Sequence, residues 1–251
     1  MSEGIRFDLA YETMPWHKVD AVVFDIGNVL IRFAPDDFIQ QLFPGDEEKQ
    51  QHMMDYVYNG RYWPCFDRGT VTYEEAARRL HEETGMPEEE YLHALLGWIA
   101  LKVPIEEGWR AAARLLSEET GGAYEDYRHA LVGWIELKTP LEEGWRAAAR
   151  AKRAGKKLYL LSNYPQRGYE RLREKFADLF GDLFDGGIIS CYDHVVKPEK
   201  EIYQLLCDRY GIDKSRAVFI DDTLGNIEGA NKFGMHGFHL HEKGMLDRFF
   251  I

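Results

Sequence analysis

Cysteine is scarce in this 251-residue chain: Cys65, Cys191 and Cys207 are odd in number, scattered, and include no close-spaced pair. That excludes the disulfide framework of a small secreted domain and predicts a reduced, cytoplasmic setting. Long apolar runs are missing too. No stretch approaches the length of a membrane-spanning helix, and Met1-Ser2-Glu3-Gly4-Ile5-Arg6-Phe7-Asp8 mixes charges of both signs where a secretory leader needs an apolar segment. The expectation is a chain with no membrane partner. Positive charge is also in deficit: 31 Lys and Arg stand against 43 Asp and Glu, a net charge of -12. Such a balance argues against nucleic acid as a partner. It does not forbid a small phosphate ester, because a metal ion and one or two local cations reverse the field inside a cleft. The nine histidines, among them His93, His129, His194, His236, His239 and His241, show no His-x-x-x-His spacing, so most read as surface or packing residues.

What is present is enough apolar material, 45% of residues, for one large α/β domain or a core with an inserted module. Val19 to Phe24 is short, apolar and β-branched and runs into Asp-x-Gly-Asn, as a buried parallel strand feeding a loop does. From about Pro35 to Pro140 the pattern turns helical, with Pro35-Asp36-Asp37 opening one helix and Thr72 capping another over 73–84. Beyond Gly155 strands and helices alternate: strand 157–161, helix 166–176, strand 187–190, helix 200–210, strand 217–220, helix 226–233, strand 236–240. That alternation predicts a doubly wound, Rossmann-like parallel sheet with right-handed crossovers. The domain reading is an extension over 1–18, a core over 19–34 and 140–251, and an inserted helical cap over 35–139.

The cap contains a repeat. His93 to Arg114 recurs as His129 to Arg150 at an offset of 36, with 18 of 22 positions identical. Weaker echoes extend it to segments of about 79–114 and 115–150. Two copies are too few for a solenoid, so this reads as a tandem duplication of one helical segment that enlarges the cap. The short connection around Gly155 predicts that the second copy's helix, 141–154, packs on the sheet. Two identical faces with one docking site make a monomer or a homodimer, with segment exchange, both admissible. Trp98, Trp109, Trp134 and Trp145, at helical spacing, read as core anchors. Asp67-Arg68-Gly69-Thr70 reads as a structural turn, with a loop facing substrate as the alternative.

Four polar clusters close four strands: Asp25, Ser162-Asn163, Lys197-Pro198 and Asp221-Asp222. In an open parallel sheet ligands bind beyond the carboxyl ends of the strands, so these groups should converge. A buried carboxylate such as Asp25 is costly without a job, and carboxylates attack phosphorus to form aspartyl-phosphates. Magnesium takes hard oxygen ligands, which Asp25 and Asp222 can supply, with Asp221 and the Gly27 carbonyl beside them. Ser162 and the backbone amides that follow can donate to phosphate oxygens, and Lys197 can neutralise the phosphoryl group.

Phe24-Asp25-Ile26-Gly27-Asn28-Val29, Leu161-Ser162-Asn163, Val196-Lys197-Pro198 and Phe219-Ile220-Asp221-Asp222-Thr223, in that order, resemble the four motifs of the haloacid dehalogenase-like hydrolases, in the phosphatase branch with a helical cap after motif one. The resemblance covers about 19–245, the duplicated stretch excepted. It implies Asp25, Ser162 and Lys197 as catalytic residues, and Gly27, Asn28, Ser162, Asn163 and Lys197 around the phosphate. It further implies Mg2+ on Asp25, Gly27, Asp221 and Asp222. The expected activity is hydrolysis of a small phosphorylated metabolite, such as a sugar phosphate, through an aspartyl-phosphate. One departure stands out. Gly27 occupies the place where the commonest phosphatase motif has a second Asp as general acid and base. The Phe-Asp-x-Gly-Asn-Val form is similar to that of known sugar-phosphate phosphatases. The alternatives are a slow or non-catalytic phosphate binder and, less favoured, a haloacid dehalogenase, whose chemistry does not need an acidic pair for a cation.

Overall fold

The computed structural model describes residues 16–97 and 140–247. Five parallel strands, β1 (Ala21–Phe24), β2 (Lys157–Ser162), β3 (Gly186–Ile189), β4 (Ala217–Asp221) and β5 (His236–His239), form one sheet in the order β3-β2-β1-β4-β5. Their apolar runs are continuous because both faces are covered, as in any parallel sheet flanked by helices. Alternate residues part to opposite faces. Val22, Phe24, Leu158, Leu160, Val218 and Ile220 join one core cluster, while Val23, Tyr159, Leu161 and Phe219 join the other. This is the doubly wound α/β fold expected from the alternation.

The second face is covered by helices Lys200–Tyr210 and Glu-containing Leu224–Phe233, through Ile202, Tyr203, Leu206, Ile227, Ala230 and Phe233. The first face is covered by helix Glu142–Arg153, whose Trp145, Ala147, Ala148 and Ala151 are buried, so the second copy's helix does pack on the sheet. Its approach is close. A Cβ on Gly144 would lie 2.0 Å from the Val29 carbonyl oxygen, and Trp145 Nε1 donates to the Leu30 carbonyl at 2.8 Å. Gly155, in the left-handed region at φ 75°, turns the chain into β2. Of the four tryptophans read as anchors, Trp145 is in the core; Trp98, Trp109 and Trp134 lie outside the described residues, as do His129, most of the duplication and residues 1–15.

Between β1 and helix Glu142–Arg153 the described residues are helical: Pro35–Leu42, Glu47–Met53 running into a π-helical turn at Met54–Tyr58, Trp63–Arg68, Tyr73–Thr84 and Glu88–Gly97. Local signals account for their ends. Pro35 sits in the first turn with Asp36 and Asp37, Asp46 and Thr72 accept from Lys49 N and Glu75 N, and Gly85 closes its helix in the left-handed region. Phe66, Tyr73, Ala76, Leu80, Tyr91 and Leu95 continue the core cluster that begins on the sheet.

Several boundaries shift from the sequence expectation. β1 starts at Ala21, two residues late; β2 and β4 run one residue further, taking in Ser162 and Asp221. β3 covers Gly186–Ile189, and Ser190 opens a short helix to Asp193, its buried hydroxyl bridging the Asp67 carbonyl and Tyr164 N. The helix after β4 begins at Leu224, so Asn226 lies in its first turn with its amide turned back on Asp221.

Candidate active site

Strand register brings the polar clusters level. Phe24 pairs with Leu160 on β2 and Ile220 on β4, so the next residues, Asp25, Leu161 and Asp221, lie side by side at the carboxyl edge. The backbone continues the pairing, Asp25 N–H donating to the Ile220 carbonyl at 2.9 Å. The chain leaves β1 toward β2 and β3 and returns to β4 on the other side, which makes the β1/β4 boundary the switch point where such sheets bind ligands.

Lys197 is the hub. Its ammonium lies 2.8 Å from Asp25 Oδ1 and 2.6 Å from Asp221 Oδ2, and the three side chains are 2%, 9% and 0% exposed. Burial works against its charge, but the Asp25 and Asp221 carboxylates more than offset it and hold Lys197 above its ordinary range. Asn163 sets its place: Asn163 Oδ1 accepts from Lys197 N at 2.8 Å and Nδ2 donates to the Lys197 carbonyl at 3.0 Å. The Asn163 side chain is thus spent on the neighbouring loop.

Burial pushes Asp25 up to about 7, helped by the like charge of Asp221; the Lys197 ammonium and hydrogen bonds with Lys197 and Ser162 pull the other way. Asp221 is saturated: it accepts from Lys197, from Thr223 N at 2.8 Å and from Asn226 Nδ2 at 3.1 and 3.0 Å on its two oxygens. Asp222 is half-buried and raised, again mainly by burial, while Asn28 Nδ2 donates to its Oδ2 at 3.1 Å. Asn28 adopts φ 50°, and its Oδ1 accepts from Phe33 N at 2.9 Å, which fixes the loop after β1. A Cβ on Gly27 would meet only Asp25 Oδ2, at 3.8 Å, an ordinary van der Waals contact.

One oxygen each of Asp25, Asp221 and Asp222 lie within 4.8 Å of one another. Three carboxylates around one ammonium leave an excess of negative charge, and the donors are all hard oxygen, so the residues fit a divalent cation such as magnesium. A cavity of about 760 Å³ opens beside Asn28 and Asp222. Every sequence-predicted site residue therefore belongs to one constellation around the ends of β1, β2 and β4. Outside the predicted site set, Asn226 and Thr223 hold Asp221, and Asp67 lies in electrostatic reach of Lys197 and Asp25 from the inserted helices. Thr223 and Asn226 carried a signal, following the acidic pair closely; Asp67 carried a weaker one, a turn whose alternative reading faces substrate.

The profile of the haloacid dehalogenase-like hydrolases matches residues 19–234. The chain belongs to this family. Among curated relatives, sesquiterpene phosphatase astK of Aspergillus oryzae is 33% identical over 89 residues, 36% of this chain and 44% of that protein. (S)-2-haloacid dehalogenase 4A of Burkholderia cepacia is 28% identical over 99 residues, 38% of this chain and 40% of that one. The chain thus spans less than half the length of these curated relatives. Among solved structures, a haloacid dehalogenase-family enzyme of Bacteroides thetaiotaomicron, in complex with magnesium and inorganic phosphate, superposes with TM-score 0.59 at 16% identity, over 92% of this chain and all of that one. L-2-haloacid dehalogenase of Xanthobacter autotrophicus, with chloropropionic acid covalently bound, gives TM-score 0.53 at 19% identity, over 92% and 81%. At these identities the structural likeness establishes the fold of the family.

Proposed function

We propose that the protein is a magnesium-dependent phosphatase that hydrolyses a small phosphate monoester through an aspartyl-phosphate on Asp25. The observation that carries this reading is the meeting of Asp25, Asp221 and Asp222 within 4.8 Å, with Lys197 bridging Asp25 and Asp221. A dehalogenating carboxylate needs no cation-binding partner, so the acidic pair favours phosphoryl transfer. The phosphatase among the curated relatives, and the magnesium and phosphate held by a structural neighbour, agree with it.

In this reading Asp25 attacks phosphorus in line with the leaving oxygen, and its carboxylate must be ionised to do so. Lys197 and the Ser162 hydroxyl favour that ionised form and donate to phosphoryl oxygens. Asp25 and Asp222, with the Gly27 carbonyl, would hold Mg2+, while saturated Asp221 fixes Lys197 and shapes the field. When bound, the cation supplies charge neutralisation on the phosphoryl oxygens. Asn28 orients Asp222, Asn163 orients Lys197, and the helical insertion excludes bulk water and sets specificity. The substrate class is a small phosphorylated metabolite, and neither nucleic acid nor a membrane is a partner. No helix among the described residues is long and apolar enough to cross a membrane.

Phosphate release from an aryl phosphate, with and without Mg2+, tests this. Turnover should require the ion and vanish in Asp25→Asn; equal rates in wild type and Asp25→Asn would overturn it.

A further inference from the structure

Gly27 leaves the reaction without a proton donor where the family usually carries one, and the core offers no free acid in its place: Asp25, Asp221 and Asp222 are engaged with Lys197, Asn226 and Asn28. The helical insertion does offer one. Asp67, near the end of helix Trp63–Arg68, has Oδ1 buried with no hydrogen-bond partner. Leaving a carboxylate oxygen buried and unbonded costs stability, so such an atom marks a place kept for something else.

The backbone around Asp67 is tied to the catalytic edge from four sides. The Ser190 hydroxyl donates to the Asp67 carbonyl at 2.5 Å and accepts from Tyr164 N at 3.0 Å, two residues beyond Ser162. Arg68 pairs with Glu199 and donates to the His194 carbonyl at 3.1 Å, on the stretch that carries Lys197. His194 Nδ1 meets the Arg68 carbonyl at 2.8 Å. Gly69 turns in the left-handed region so close to the core that a Cβ would lie 2.6 Å from the Cys191 carbonyl oxygen. The Asp67 carboxyl lies within electrostatic reach of both Lys197 and Asp25. Tyr73, tilted against Phe66, adds a second buried and unpartnered polar atom, its hydroxyl, in electrostatic reach of Asp67.

We infer that Asp67, presented by the inserted helices, is the general acid and base of the reaction, in the role that Gly27 has no side chain to fill. This rests on the phosphatase reading above. In the first step the Asp25 oxygen–phosphorus bond forms as the bond from phosphorus to the leaving oxygen breaks, and the Asp67 carboxyl proton passes to that oxygen. In the second, water attacks the aspartyl-phosphate and gives a proton to the Asp67 carboxylate, while the bond to Asp25 breaks; Asp67 ends protonated and inorganic phosphate leaves. Burial, with Asp25 adding to it and Lys197 opposing it, holds Asp67 at about 7, where a carboxyl exchanges protons readily at neutral pH. The titratable groups that face it are Asp25, Lys197, Tyr73, Tyr164 and Cys191.

The test compares para-nitrophenyl phosphate, whose leaving group needs no proton, with benzyl phosphate, whose alkoxide does. In Asp67→Asn, kcat/KM, which covers only transfer to Asp25, should fall about 10²–10⁴-fold for benzyl phosphate and less than about tenfold for para-nitrophenyl phosphate. Adding Gly27→Asp to Asp67→Asn should recover benzyl phosphate turnover at least about tenfold, the new Cβ meeting no atom closer than 3.8 Å. Equal losses on the two substrates, or no loss on either, overturn the role of Asp67. Absence of Mg2+-dependent turnover of para-nitrophenyl phosphate by the wild type would instead overturn the phosphatase reading itself.

Discussion

Replacing Lys197 by Met removes the one cation from between two buried carboxylates and keeps most of the side-chain volume. Its contacts to Asp25 and Asp221 are 2.8 and 2.6 Å, in a site where the side chains are 2%, 9% and 0% exposed. Breaking a buried pair in this way costs about 3–5 kcal/mol, because the partner charges remain without compensation. Asp221 keeps Asn226 and Thr223 N as donors, so the loss should not be double that of a single pair. At about 2–4 °C per kcal/mol for a chain of this size, the melting temperature should drop by about 6–20 °C. The sign of the pH dependence follows from which state holds more protons. Lys197 lowers Asp25, so its removal raises that carboxyl further, and relative to its own unfolded chain the folded variant holds more protons than the folded wild type does. The deficit should therefore widen as pH rises from about 5 to about 8. Urea unfolding of both chains in chelator at several pH values measures it. A deficit below about 1 kcal/mol, or one that narrows with rising pH, would refute the placement of Lys197 as the compensating charge.

Asn163→Ala frees Lys197 from two hydrogen bonds, and a displacement of about 1 Å costs roughly 10²-fold in rate, so kcat should fall more than KM rises in a phosphate-release assay. Gly144→Ala places a Cβ 2.0 Å from the Val29 carbonyl oxygen and should destabilise by about 1–3 kcal/mol through overpacking, measured by urea unfolding. Asp67 is raised to about 7 by burial, so between about pH 4 and 7 the folded chain holds its proton and the unfolded chain does not. Stability from this group is therefore lost as pH rises through that window, and Asp67→Asn should melt higher than wild type near pH 8.

Much of this site could be read from the chain because the strands are buried on both faces. Val22 to Phe24, Leu158 to Leu161 and Val218 to Ile220 stand out as continuous apolar runs, and a charged or hydroxyl residue ending each run has few bland explanations. Asp25, Ser162, Asp221 and Asp222 stand out for that reason, whereas Lys197 lies beyond the short helix that follows β3 and stands out only within Val196-Lys197-Pro198. Ser190 was misread as the end of a strand because its hydroxyl's partners, Asp67 and Tyr164, are distant in sequence. Asp67 reads from the sequence as a turn residue with a loop facing substrate as the alternative, and Gly69 does end its helix in the left-handed region. What made the carboxyl informative was the docking of an inserted helix onto residues more than a hundred positions away, and no local spacing encodes that contact. The helix from the second copy of the repeat was legible through its short link to β2, whereas the place of the first copy depends on packing alone.

The account stands or falls on a covalent bond between phosphorus and Asp25. Rapid quenching during turnover, followed by borohydride reduction of the acyl phosphate and peptide mass spectrometry, should convert residue 25 to homoserine in the wild type and leave Asp25→Asn unmodified. Turnover that proceeds with no such adduct, or with the phosphoryl group trapped on another residue, would contradict it.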